Sequence, residues 1–332
     1  MEDQAALDLL LENSLSAGTL SNYGSGLAHW HSWCDARSIS KEDRLPASAN
    51  HLSLFIAYLS RTTPSRIPNT LSALHHWHDL NGQQWCSNDP FVQKIRHSAL
   101  AHLPPPTSLS TRPPVLPQHL IALRENLDFN NTFDSAVFVV ATCAFWGVCR
   151  LGELTVPSIS AFDSSIHVTR NCNLSFSDTS SYPRSAKFSL PWTKTEKSSG
   201  ATVSITAIPG PLCPVVALRH HLLSNSDFPP SAHLFAYKTS KGFLPMVKKS
   251  FLDRCTNIFR SAGLGTVHGH SFRIGGATEH LRRGLPVDLL KIQGRWKSDA
   301  FQRYLRRTDE ILSINIIDLD VREHLRMDSC PT

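Results

Sequence analysis

The chain has no Cys-x-x-Cys pair. Its eight cysteines, at positions 34, 86, 143, 149, 172, 213, 255 and 330, are scattered, and no histidine pattern of a zinc site adjoins them. A zinc module is therefore excluded, and the thiols read as reduced and mostly buried in an intracellular protein. Uninterrupted apolar runs of membrane-spanning length are also missing. The longest, Ala136 to Cys149, reads as a buried helix. The start, MEDQAALDLLLENS, is acidic and lacks the basic flank and long apolar core of a signal peptide. Nothing repeats internally, and only one proline-rich stretch is of low complexity. Cations are scarce at first: residues 1–103 carry 7 Lys+Arg against 9 Asp+Glu, and the remainder carries 26 against 18.

The 332 residues suffice for two domains with separate cores, and 41% apolar with 18% charged residues fits an ordinary globular protein. Net charge is +6, and its excess in the second part suits a polyanionic partner. In the first hundred residues, Leu20, Tyr23, Leu27, Trp30 and Cys34 follow Ser16 and Thr19 at the spacing of one helical face. Leu52, Phe55, Ile56 and Leu59 predict a second helix. Ile67, Leu71, Leu74, Trp77 and Leu80 predict a third that stops at Asn81-Gly82, and Asp89-Pro90 opens a fourth. The expectation is an all-α domain over 1–103, then a tether over 104–117, then a second domain over 118–332. The tether, within LPPPTSLSTRPPVLP, holds six prolines that deny regular structure.

The second domain opens with two predicted helices, the latter being AVFVVATCAFWGVCRLGEL, apolar almost all round. Strands are predicted at 166–169, 186–192 and 202–208, the last two forming a hairpin around the polar turn TKTEKSSG. Helices resume at 212–224 and 246–262. The fold class is mainly α with a small antiparallel β-sheet.

Chemistry concentrates in HSFRIGGATEHLRRGLPVDLLKIQGRWKSDAFQRY, from His270 to Tyr304. His270 and Arg273 are three apart, which on a helix or its entry turn puts both on one side. A helix from Pro286 that breaks at Gly294 lets the chain fold back and bring the Tyr304 phenol towards them. Arginine offers a planar fork matched to phosphate oxygens, histidine exchanges protons near neutral pH, and the Trp296 indole can only donate. Upstream, Arg150 stands at the edge of the apolar helix, where a salt bridge with Glu153 is its plainest role. Lys194 in the hairpin turn is by itself a solvated cation, as is Lys197.

These residues resemble the tyrosine recombinases, the phage-integrase family. The resemblance rests on Arg150-Leu-Gly-Glu153-Leu, on His270-Ser-Phe-Arg273 followed by Ala277-Thr278, on Gly294-Arg295-Trp296, and on Tyr304, in that order. Residues 16–100, with Thr19, Tyr23 and Leu27, resemble the family's core-binding domain, and residues 112–325 its catalytic domain. Within the family, the two-domain layout without zinc modules is most similar to Crypton-like recombinases of eukaryotic mobile elements, which implies a nuclear protein. The step from Trp296 to Tyr304 is one residue shorter than the common pattern. Counting back from Tyr304 puts Arg295 in the slot usually held by histidine or tryptophan, whereas counting forward from His270 puts Trp296 there.

The resemblance implies a two-domain recombinase that cuts and rejoins double-stranded DNA as a homo-tetramer on paired sites, with no metal, no cofactor and no membrane. Tyr304 would attack phosphorus, and Arg150 and Arg273 would clamp the non-bridging oxygens. His270 would act as base or hydrogen-bond partner, Trp296 would steady a phosphate oxygen, and Lys194, or Lys197, would protonate the leaving oxygen. No cluster of carboxylates for two metal ions stands near these residues. The competing expectations are a recombinase-derived DNA-binding protein that no longer cuts, a relaxing topoisomerase with the same site, and an unrelated helical scaffold. The run ILSINIIDLDVREHL near the end is apolar without a local partner, and docks either on a neighbouring subunit or on the chain's own core.

Overall fold

Helices form in the first hundred residues where apolar spacing predicts them: α1 (Ala17–Asp35), α2 (Ala49–Thr62), α3 (Ile67–Leu80) and α4 (Pro90–Ala101). This computed structural model describes residue 15 and residues 17–101, 113–178, 185–194, 196, 199–306 and 308–313. The chain divides into two compact units, Met1–Leu109 and Ser110–Thr332. In the first, the Ser48 hydroxyl accepts the His51 N–H at 3.1 Å and starts α2. The Asp89 carboxylate accepts the Phe91 N–H at 2.8 Å and starts α4. Trp30, Trp33, Phe55, Ile56, Leu59 and Leu74 fill the space between the helices.

The second unit is built around α6 (Thr132–Trp146), whose side chains from Asp134 to Trp146 are all buried. Before it comes α5 (Pro117–Asn126), and after it the single turn α7 (Leu151–Leu154). A three-stranded antiparallel sheet follows: β1 (Ser175–Ser177), β2 (Ser185–Leu190) and β3 (Ala201–Thr206), in that order. Ala186 pairs with Ile205 and Phe188 with Val203, so the alternation turns these four onto the core. Then come α8 (Pro214–Ser224), the hairpin β4 (Tyr237–Thr239) and β5 (Gly242–Leu244), α9 (Lys248–Ser261), α10 (Ser271–Arg282) and α11 (Val287–Gly294). A 3₁₀ stretch, Asp299–Tyr304, follows, and residues 308–313 are again helical.

Three local expectations change. The apolar helix does not run through to Leu154 but stops at Trp146, because Val148 takes a φ of 48° that no α-helix accommodates. Residues 166–169 form no strand, and only an isolated bridge joins Thr169 to His233. The β1 strand lies instead at 175–177, where the sequence gives no long alternating run. The proline-rich run ends sooner than its composition indicates. Val115 is wholly buried and its N–H donates to the Ser271 carbonyl at 2.9 Å, which ties this part of the run into the core. Residues 103–112 of that run, Lys197, and 314–325 of the apolar C-terminal run lie outside the described residues.

Helix α10 makes backbone-to-backbone contacts through its Gly275-Gly276 pair. A Cβ on Gly275 would run into the Val115 carbonyl, and one on Gly276 into the Phe145 carbonyl. Glycine is what lets this helix lie against the end of α6, directly beside the break at 147–150.

Candidate active site

The break after α6 and the end of α11 face one another, and two arginines, Arg273 and Arg295, join them. Arg273 rises from the first turn of α10 and is wholly buried. Its Nη1 donates to the Val148 carbonyl at 2.7 Å and its Nη2 to the Gly294 carbonyl at 2.6 Å. The left-handed backbone at Val148, unusual for a β-branched residue, accompanies the carbonyl that meets this guanidinium. Two such carbonyls hold the fork flat over the Trp296 ring, 4.3 Å from its centroid, and 5.3 Å from the centroid of Tyr304.

Trp296 reaches that position because α11 ends in a Schellman turn. The Trp296 N–H bonds the Lys291 carbonyl at 3.0 Å and the Arg295 N–H bonds the Ile292 carbonyl at 3.0 Å. The indole then folds back against Gly294, where any Cβ would collide with its six-membered ring. The Trp296 and Tyr304 rings lie 5.5 Å apart, and the Tyr304 and His270 rings 6.1 Å. His270 caps the start of α10 and is exposed, whereas Tyr304, at the end of the 3₁₀ stretch, is half-buried.

Arg150 opens α7. Its backbone N–H and its Nη1 both donate to the Glu153 carboxylate, each at 2.9 Å. This is the local salt bridge that sequence alone suggests. The tertiary structure adds Arg295, whose Nη2 donates to the same carboxylate at 2.7 Å. Trp296 thus lies against Arg273 and Tyr304, and Arg295 turns away from them towards Glu153. Arg150, Arg295 and Trp296 line one cleft of about 380 Å³ together with Thr193, Lys291 and Lys297.

Lys194 stands exposed in the connection between β2 and β3, and among the described residues no contact joins it to the other five. Its neighbour Glu196 pairs with Lys297 at 2.5 Å and so ties the turn to the segment after Trp296. In the sequence Arg295 stands only as a rival to Trp296, and nothing local marks the Val148 carbonyl. The Gly-Arg-Trp run after a helix was a signal for the turn, since glycine beside a helix end often admits a close approach.

The electrostatics follow from crowding of cations in a dry place. Burial, then repulsion from Arg150, draws the Arg273 pKa down to about 10, with Glu153 opposing; the group stays charged at neutral pH. Burial pushes the Glu153 carboxyl up, but Arg295, the Arg150 N–H and Arg273 outweigh it and hold it below the ordinary carboxylate value. Two buried N–H donors here, Arg273 Nε and Trp296 Nε1, have no hydrogen-bond partner among the described residues. Buried donors in native proteins are nearly always paired, so a set of them beside a phenol has the chemistry of an anion-binding site.

No family model matches the chain, and no curated protein matches it. Solved structures do. The XerH site-specific recombinase, bound to a palindromic difH substrate in a post-cleavage complex, superposes with a TM-score of 0.56 at 14% identity over 86% of this chain and 75% of that one. The same recombinase in a pre-cleavage complex with difH gives 0.55 at 15% identity over 89% and 79%. With a helical first unit and a second unit of helices and small antiparallel sheets, the chain has the tyrosine-recombinase fold.

Proposed function

We propose that this protein is a site-specific DNA recombinase that cleaves and rejoins double-stranded DNA through a 3′-phosphotyrosyl intermediate, with Tyr304 as nucleophile. The observation that supports this reading is the Tyr304 ring set 5.3 Å from the buried Arg273 guanidinium and against the Trp296 indole. In this reading Arg273 and Arg150 stabilise negative charge as the phosphorus becomes five-coordinate, and the unpaired Trp296 Nε1 donates to a phosphate oxygen. His270, beside Tyr304, assists proton removal from the phenol. Lys194 protonates the departing sugar oxygen. Exchange of one phosphodiester for another conserves the bond, so rejoining needs no ATP. A homo-tetramer on paired sites, a nuclear location and an origin in Crypton-like mobile elements belong to the same proposal.

The test is covalent capture. The full-length protein is incubated with a pool of nicked random-sequence duplexes, and detergent-resistant protein–DNA complexes are isolated and sequenced. The wild type is expected to give an adduct with an enriched sequence, and Tyr304→Phe to bind that sequence without any adduct. An adduct from Tyr304→Phe, or none from the wild type, would refute the assignment.

A further inference from the structure

Arg295 holds a backbone position that ordinarily suits glycine. Its φ is 57°, it closes the turn after α11, and yet only 14% of its side chain is exposed. The guanidinium goes inward: Nη2 to Glu153 at 2.7 Å, Nη1 to the Gln293 carbonyl at 3.1 Å and to the Gly147 carbonyl at 3.4 Å. Glu153, 4% exposed, receives both guanidinium groups: Arg150 Nη1 on Oε1, and Arg150 N–H with Arg295 Nη2 on Oε2. A buried carboxylate with one cation for a partner would orient that cation and also cancel its field. With two cations it can orient Arg150 while the trio keeps a net charge of +1.

We infer that Arg295 is a positioning residue of the phosphodiester site, neutralising Glu153 so that this carboxylate aims Arg150 without quenching its charge towards a phosphate. The inference rests on the strand-transfer reading above. Arg295 would touch neither the phosphate nor the phenol. The other groups facing Glu153 are Arg273 from α10 and the Cys149 thiol, and neither donates a hydrogen bond to the carboxylate. Arg295 also donates to the Gly147 and Gln293 carbonyls, bridging the two segments that meet at the site.

The experiment measures adduct formation and duplex affinity with the sequence enriched by covalent capture. Arg295→Met is expected to slow adduct formation by about 100-fold while the duplex Kd stays within about threefold, because the Glu153 carboxylate then cancels the charge of Arg150, its one remaining hydrogen-bonded cation. Combining it with Glu153→Gln removes the carboxylate charge, so the double variant is expected to form adduct at least about tenfold faster than Arg295→Met alone. A packing role predicts the reverse, with the double variant no faster than the single one. Arg295→Lys keeps a cation but loses the fork, and its expected loss is about tenfold or less. If Arg295→Met does not fold, Arg295→Lys and the double variant carry the test: lysine slower than the neutral pair overturns the charge argument. Wild-type rates in Arg295→Met, or no rescue in the double variant, overturn the positioning role alone. Absence of any wild-type adduct overturns the strand-transfer reading and this inference together.

Discussion

A guanidinium with no solvent contact needs carbonyls to hold it and a reason to be charged there. Arg273 has both: the Val148 and Gly294 carbonyls fix its plane, and Trp296 and Tyr304 lie along its face. Replacing it with alanine removes the charge and strands those two carbonyls. Arg273→Ala is expected to lower the rate of adduct formation on a nicked duplex about 10²–10³-fold, about 2.7–4 kcal/mol of transition-state stabilisation. Unchanged cleavage would remove Arg273 from the site. The spacing of His270 and Arg273 and the position of Tyr304 were legible in the chain because they belong to one short run. The bond from Arg295 to Glu153 was not, since 142 residues separate the partners and nothing local marks a charged side chain as inward-facing.

Elements bring these residues together through close backbone approach. The α10 helix passes so near Val115 and Phe145 that only glycine fits at 275 and 276. A glycine pair in a helix interior lowers intrinsic helicity and signals such a contact, yet it does not say which backbone approaches. Gly276→Ala is expected to destabilise the second unit by about 1–3 kcal/mol, seen as a lower urea midpoint with an unchanged slope. The same contact sets the α6 break beside Arg273, so adduct formation should fall along with stability. A midpoint equal to wild type would mean that the approach relaxes freely. The break itself escaped the sequence pattern because an apolar run continues through Gly147 and Val148, and periodicity carries no information about one left-handed residue.

At the level of the whole molecule, charge and buried histidines set the response to solution conditions. Burial holds His221 down to about 4 and His233 down to about 3 in the folded chain, against an ordinary value of about 6.5 once unfolded. Between those values the unfolded chain binds more protons than the folded one, so stability is fully present above about pH 6.5 and falls as the solution is acidified. Each histidine contributes a slope of up to about 1.4 kcal/mol per pH unit in that window. The urea midpoint of the second unit should therefore drop between pH 7 and pH 5, and a flat profile would show that the buried rings protonate in place. DNA affinity is expected to fall steeply as salt rises, because neutralising phosphates releases counterions. Affinity independent of salt would count against a nucleic-acid partner.

The sequence by itself determined the helices of the first unit, the β2–β3 hairpin, and the order of Arg150, His270, Arg273, Trp296 and Tyr304. Each of these depends on neighbours in the chain or on periodic burial, which local spacing records. Tertiary structure alone decided that Arg295 pairs with Glu153 while Trp296 covers Arg273, and that Lys194 stands apart from the cluster among the described residues. Side chains at the end of a helix can turn to either of two environments, and only the packing of α10 and α11 against the break after α6 gives one of them carbonyls and the other an aromatic face.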